Sequence, residues 1–279
     1  MVDFVKALMN PDFQFLANAL IMGILASISF GIIGTYVVTR RISYLAGAIS
    51  HAAFGGIGMA LYLSRTFDIA WLDPIHGAMV FAVGAAVITG MISIHSRERE
   101  DTVIGAIWSV GMAMGIVFID MTPGYFELSS FLFGDILLIS SNDIVLITIL
   151  DVVILGTVML CYNPLLAVCF DDEYAMLRGI NAHGYYIFLL CLTAVTVVLM
   201  VRIVGIVMVI ALLTLPAAIA GKMTKRMLPM MSLAVFLCML FDTAGLAVSF
   251  VNGISTGPTI ILIAGISYLA VMIFYRIRN

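Results

Sequence analysis

The side chain with the greatest chemical reach in this sequence is His51, set in the apolar run ISHAAFGGIGMA directly after Ser50. A neutral imidazole offers a nitrogen lone pair that suits borderline transition metals, zinc in particular. A lone histidine in an apolar segment has a second ordinary use, as hydrogen-bonding partner of a neighbouring helix, and the residue pattern alone leaves both open. Two carboxylates lie in comparable surroundings, Asp151 in ILDVVI and Asp242 in LFDTAG. Ionisable groups inside an apolar span are costly; they face a polar pathway or pair with a buried donor. Asp135, bordered by Asp120 and Glu127, adds an acidic region that would attract cations. For Asp120 and Glu127 the plainer reading is a solvated helix end. His76, His95 and His183 read as surface residues.

A different chemistry is suggested by residues 163–184, NPLLAVCFDDEYAMLRGINAHG, the longest polar interruption in the chain. Asp171, Asp172 and Glu173 suit the start of a helix, Arg178 suits its end, and Gly179 can take the left-handed conformation that stops it. A short amphipathic helix between long apolar segments is a handle for a soluble partner; an ordinary solvated loop is the bland alternative.

The elements that must position these groups follow from composition. Of 279 residues 63% are hydrophobic and only 10% are charged, which excludes a soluble globular protein and predicts a multi-pass membrane protein. Nine stretches are long and apolar enough to cross a bilayer of about 30 Å: 15–38, 42–64, 77–94, 102–119, 143–162, 185–201, 203–221, 229–251 and 257–275. Residues 128–140 are apolar but short, and suit an outer re-entrant or interfacial helix. The expectation is an all-α transmembrane helix bundle forming one domain over 1–279, with no removable signal peptide.

Of the 13 Lys and Arg residues, Lys6, Arg65 and Arg202 fall on one side of these spans and the other ten on the opposite side. The side rich in cations is the cytoplasmic one. The N-terminus is therefore expected outside, the C-terminus inside, and residues 163–184 in the cytoplasm. Gly31, Gly34, Gly55, Gly56, Gly58, Gly84 and Gly90 lie within spans, where small residues let helices approach closely. Pro216 interrupts the seventh span, predicting a kink whose freed carbonyls could line a cavity or merely pack. The 19 methionines and four cysteines read as packing. There is no phosphate-binding GxxxxGK[ST] loop, HExxH or CxxC. The chain is expected to be no enzyme, to hold no permanent cofactor and to bind no nucleic acid; any ATPase driving transport is a separate polypeptide.

Six stretches in order resemble the membrane permease subunits of zinc and manganese ABC importers: TRRISYLAGAISHAAFGGIGMA (39–60), REREDTVIGAIWS (97–109), FLFGDILLIS (131–140), FDDEYAMLRGI (170–180), VRIVGIVMVIALLTLPAAIAG (201–221) and STGPTIIL (255–262). The resemblance implies an architecture related to siderophore and cobalamin permeases. It also implies a homodimer with the pathway at its interface, a cytoplasmic ATP-binding subunit below and an extracytoplasmic metal-binding protein above, in the cytoplasmic (inner) membrane. Residues 170–180 would be the coupling helix, with Phe170, Asp171, Glu173, Ala175 and Gly179 matching its pattern, and His51 falls on the family's pathway histidine.

Two positions depart from that pattern. Gly47 stands where many members have Asp, and Gly253, Ile254 and Ser255 replace a run with Asp and Pro. Loss of oxygen donors favours zinc over manganese as the ion carried. The expected metal-contacting set is His51, Asp135, Asp151 and Asp242, with Ser50 and Pro216 shaping the pathway. Two alternatives remain: a permease for a larger metal chelate, and an ATP-independent channel or carrier relaying through Asp151, Asp242 and His51.

Overall fold

The computed structural model describes residues 4, 13–69, 71–95, 100–124, 128–134 and 140–278. They form helices only: α1 (Gln14–Thr39), α2 (Ser43–Thr66), α3 (Pro74–His95), α4 (Glu100–Met121), α5 (Leu128–Phe133), α6 (Ser141–Phe170), α7 (Asp172–Leu177), α8 (Ala182–Val204), α9 (Ile206–Met223), α10 (Met227–Asn252) and α11 (Thr256–Arg278). Nine of these, all but α5 and α7, are long and apolar enough to cross a membrane, in agreement with the spans read from sequence. The six residues of α5 extend only about 9 Å, too short to cross. Asp135 lies outside the described residues.

Local chemistry sets the helix ends. The Asp73 carboxylate accepts the Ile75 N–H at 2.9 Å, and Pro74 takes the first helical position, where its missing N–H costs nothing. At the start of α6 the Ser140 N–H and hydroxyl both donate to the Asp143 carboxylate, at 3.0 and 2.9 Å. Gly253 closes α10 in the left-handed region at φ 66°.

Two predicted boundaries move. The helix expected to end at Tyr162 continues to Phe170, after leaving helical angles at Cys161 (φ −109°, ψ 16°). Pro164 falls in the first turn after that break, where a proline is tolerated, so the apolar run LLAVC stays helical. The polar interruption therefore begins at Asp171. Similarly, α8 runs past Arg202 to Val204, and Gly205 makes the turn into α9 at φ 79°.

Contacts divide the chain into two compact units. The first comprises Met1–Thr39, Leu132–Met159 and Ile203–Asn279. In it α1 packs against α9 and α10, and α11 packs against both. The approach is close enough that a Cβ at Gly31 would stand 2.6 Å from the Val235 Cα, and one at Gly34 would meet the Leu213 carbonyl oxygen. The second unit comprises Arg40–Phe131 and Leu160–Arg202. Here α2 packs against α3 and α4, and its central residues are almost all buried. Gly55 and Gly58 lie against the backbones of Gly111 and Gly115, and Gly56 against that of Gly77. Such contacts give helices cohesion where lipid removes the hydrophobic incentive to associate. Gly84, named with them from sequence, has no neighbouring atom within 4 Å of an added Cβ.

Along α11, Leu262, Ile266, Leu269 and Ile273 stay exposed at helical spacing, as an apolar face turned to hydrocarbon would be.

Candidate functional site

In the unit built around α2, His51 is buried, with 7% of its surface exposed. Its imidazole stacks on the indole of Trp108 from α4, with ring centroids 4.6 Å apart and planes inclined by 25°. The same indole fills the space over Gly47, one turn before His51: a Cβ at Gly47 would lie 2.8 Å from the ring's Cη2. The His51 Nδ1 is buried with no hydrogen-bonding partner in the protein. Ser50 does not supply one, because its hydroxyl donates to the Ala46 carbonyl at 2.8 Å. What the arrangement offers chemically is one imidazole in an aromatic and hydrocarbon setting.

Asp151 and Asp242 belong to the other unit. Each accepts a hydrogen bond from a serine of α1: Ser29 donates to Asp151, and Ser27 to Asp242 at 3.1 Å. Ser27 and Ser29 are two residues apart, hence about 200° apart around the helix, so the two carboxylates address different sides of α1. Both acids are buried, and each keeps one oxygen with no partner. Among the described residues no three His, Cys, Asp or Glu side chains gather as a metal-ligand group. The nominated set His51, Asp151 and Asp242 is therefore distributed between the two units.

Pro216, also in this unit, is buried within α9. The carbonyl that a proline at 216 leaves without its helical N–H is that of Leu212. It receives the Cys238 thiol of α10 at 3.6 Å, so the freed acceptor is used in packing.

The acidic stretch forms the helix its residues predicted, though shorter. Asp171 is its N-cap, accepting the Tyr174 N–H at 2.9 Å, and Gly179 turns the chain at φ 77°. Phe170 is the last residue of α6 and not part of α7. Ala175 faces inward with 0% exposure, while Glu173, Tyr174, Met176 and Leu177 face outward, Leu177 at 88%. Asp172 is ion-paired to Arg40, and the Arg40 guanidinium lies 5.1 Å from the centroid of the Tyr186 ring on α8. Sequence reasoning identified this helix but missed Arg40, Met176 and Leu177. The signal was present in the apolar tail YAML beside the acids.

A second feature of this unit is a cavity of about 260 Å³ lined by Ile57, Asp73, Pro74, Phe131 and Arg202 among others. It lies at the end of α2 away from α7, and Asp73 and Arg202 give it charge of both signs.

Against this geometry, residues 12–275 match the ABC 3 transport family. A "Probable metal transport system membrane protein" of Chlamydia pneumoniae is 39% identical over 246 residues, covering 88% of this chain and 84% of that protein. The "Manganese transport system membrane protein MntC" of Listeria monocytogenes is 30% identical over 271 residues, covering 97% and 94%. A chain of the solved structure of PsaBC from Streptococcus pneumoniae in complex with Fab aligns with a TM-score of 0.85 at 28% identity, covering 100% of this chain and 99% of that one. The all-helical fold, the nine apolar spans and a match over nearly the whole length agree, and the chain belongs to the ABC 3 transport family.

Proposed function

We propose that this chain is the membrane permease subunit of an ATP-driven importer of divalent transition metal ions, working as a homodimer in the cytoplasmic membrane with its pathway at the dimer interface. The observation that carries the reading is α7: a capped helix seated by buried Ala175 and the Arg40–Asp172 pair, presenting Tyr174, Met176 and Leu177 outward. An apolar patch on a rim of acids suits a groove on a cytoplasmic ATP-binding subunit. His51 is the metal-contacting residue within the protomer, and an extracytoplasmic metal-binding protein delivers the ion from the opposite face. In this reading the N-terminus is outside and the C-terminus inside, an orientation supported by the distribution of Lys and Arg.

The ion is zinc in preference to manganese: the position one turn before His51 is Gly47, covered by the Trp108 ring, so that turn supplies no carboxylate, and manganese favours oxygen donors. Two named relatives are a metal and a manganese transport system protein, which supports a divalent metal ahead of a larger chelate.

The test is co-expression with a candidate ATPase and binding protein, followed by uptake into proteoliposomes. ATP-dependent accumulation of zinc or manganese that disappears with His51→Ala is expected. Metal movement without the ATPase would instead establish a channel or secondary carrier.

A further inference from the structure

A histidine that binds metal through one ring nitrogen is normally held by a hydrogen bond from the other, which fixes both tautomer and orientation. His51 lacks that support: Nδ1 is buried without a partner, and the neighbouring Ser50 hydroxyl is spent on the Ala46 carbonyl. Its ring is held instead by Trp108, stacked at 4.6 Å with planes 25° apart. Stacking covers the π-face of the imidazole and leaves its in-plane lone pairs open, so it can orient the ring without blocking coordination. Where it lies, Trp108 also leaves no room for a side chain at position 47 unless the ring moves, because a Cβ there would stand 2.8 Å from its Cη2. The indole thus occupies the place on α2 from which a second donor, one turn away on the same helical face, would have to reach the metal.

We propose that Trp108 is the positioning and selectivity residue of the His51 site: it clamps the imidazole in place of a hydrogen bond and keeps the adjacent turn free of oxygen donors, so that the site favours zinc over manganese. The inference rests on the reading of His51 as a pathway ligand. A lone oriented nitrogen suits a borderline ion, whereas manganese needs several oxygens to replace its hydration shell.

The chain has two tryptophans, and Trp71 lies three-quarters exposed in the α2–α3 connection, so Trp71→Phe leaves Trp108 as the single indole reporter. Full-length protein carrying that change, in lipid nanodiscs, is titrated with zinc chloride and separately with manganese chloride while indole emission is followed. Zinc and manganese affinities of the unmodified chain, Trp108→Ala and Trp108→Phe are measured in parallel by equilibrium dialysis. The expected result is a saturable zinc-dependent change in emission, abolished by His51→Ala. Trp108→Ala should weaken zinc binding about tenfold, the cost typical of losing a residue that orients a ligand, and leave manganese binding little changed. Trp108→Phe, which keeps a stacking ring, should restore most of the zinc affinity.

Emission indifferent to zinc, or the same zinc-to-manganese ratio in all three chains, would overturn the assignment. The two readings fail separately. A His51-dependent zinc response without ATP-driven uptake by the assembled transporter would keep the Trp108 site and remove the importer. Uptake with silent emission and unchanged affinities would do the reverse.

Discussion

Arg40, in the short turn between α1 and α2, is ion-paired to Asp172 in the first turn of α7, and its guanidinium also lies over Tyr186 of α8. Arg40 is three residues from the start of the helix that carries His51. If α7 is the docking helix proposed above, this side chain would link a displacement of α7 to the base of α2. The pair is partly exposed, with side-chain accessibilities of 22% and 37%, so its contribution to stability is about 1 kcal/mol or less. Its loss should therefore leave folding intact and act on coupling. Arg40→Ala should keep normal membrane yield and normal co-purification with the ATPase but reduce ATP-driven metal uptake several-fold. Arg40→Asp combined with Asp172→Arg should recover part of it. Uptake equal to wild type in Arg40→Ala would remove the pair from the coupling path.

On α7 itself, exposure separates residues open to a docking partner from residues that seat the helix. Leu177 is 88% exposed and Ala175 fully buried. A few residues near the centre of a docking surface carry most of the binding energy, each worth about 2 kcal/mol or more, and a charge buried there without a partner is costly in its own right. Leu177→Glu should accordingly abolish co-purification of the ATPase while leaving the permease's thermal stability unchanged. Ala175→Leu should instead overpack the site beneath α7, lowering stability by about 1–3 kcal/mol before docking is considered. Thermal unfolding in detergent, read beside pull-down of the ATPase, distinguishes the two.

This contrast also marks what the sequence could reveal. The nine spans and the capped acidic helix were legible because they rest on local quantities: apolar length and the turn chemistry of Asp171 and Gly179. The extension of α6 to Phe170 was hidden because Asn163 and Pro164 look like the end of a span, and only the break at Cys161 puts that proline in a first turn. The inward face of Ala175, the partners of Asp151 and Asp242, and Trp108 over Gly47 depend on residues far apart in the chain, and no period or motif encodes them. Trp108 was visible within the stretch 97–109, yet nothing local connects it to His51.

The close glycine contacts predict unequal tolerance to a single methyl group. A Cβ at Gly34 would stand 3.0 Å from the Leu213 carbonyl carbon and closer still to its oxygen, and backbone cannot give way as a flexible side chain can. Gly34→Ala should push α1 from α9 and cost about 1–3 kcal/mol. Gly84→Ala and Gly105→Ala meet nothing within 4 Å and should be neutral or slightly stabilising, since alanine is the better helix former. Melting temperatures of the three variants in the same detergent would check the order, and equal values would show that α1 and α9 can separate without cost.

The buried carboxylates on either side of α1 pose a related question, whether they serve structure or the moving ion. Asp242 is 4% exposed, takes the Ser27 hydroxyl at 3.1 Å, and has its β-carbon 3.3 Å from where a Cβ on Gly23 would lie. Ser27 has one proton and two acceptors in reach, the Gly23 carbonyl at 2.6 Å being the other. Ser27→Ala removes the donor and leaves a buried acid oxygen unpaired, which costs about 1–3 kcal/mol. Asp242→Leu removes the acid that needs it. If the pair is structural, Ser27→Ala should be markedly less damaging in an Asp242→Leu background than alone, with a coupling energy of about 1 kcal/mol in a double-mutant cycle. Asp242→Asn, which keeps an acceptor for Ser27, should then retain most ATP-driven uptake. Loss of uptake by a stably folded Asp242→Asn chain would return Asp242 to the proposed metal-contacting set.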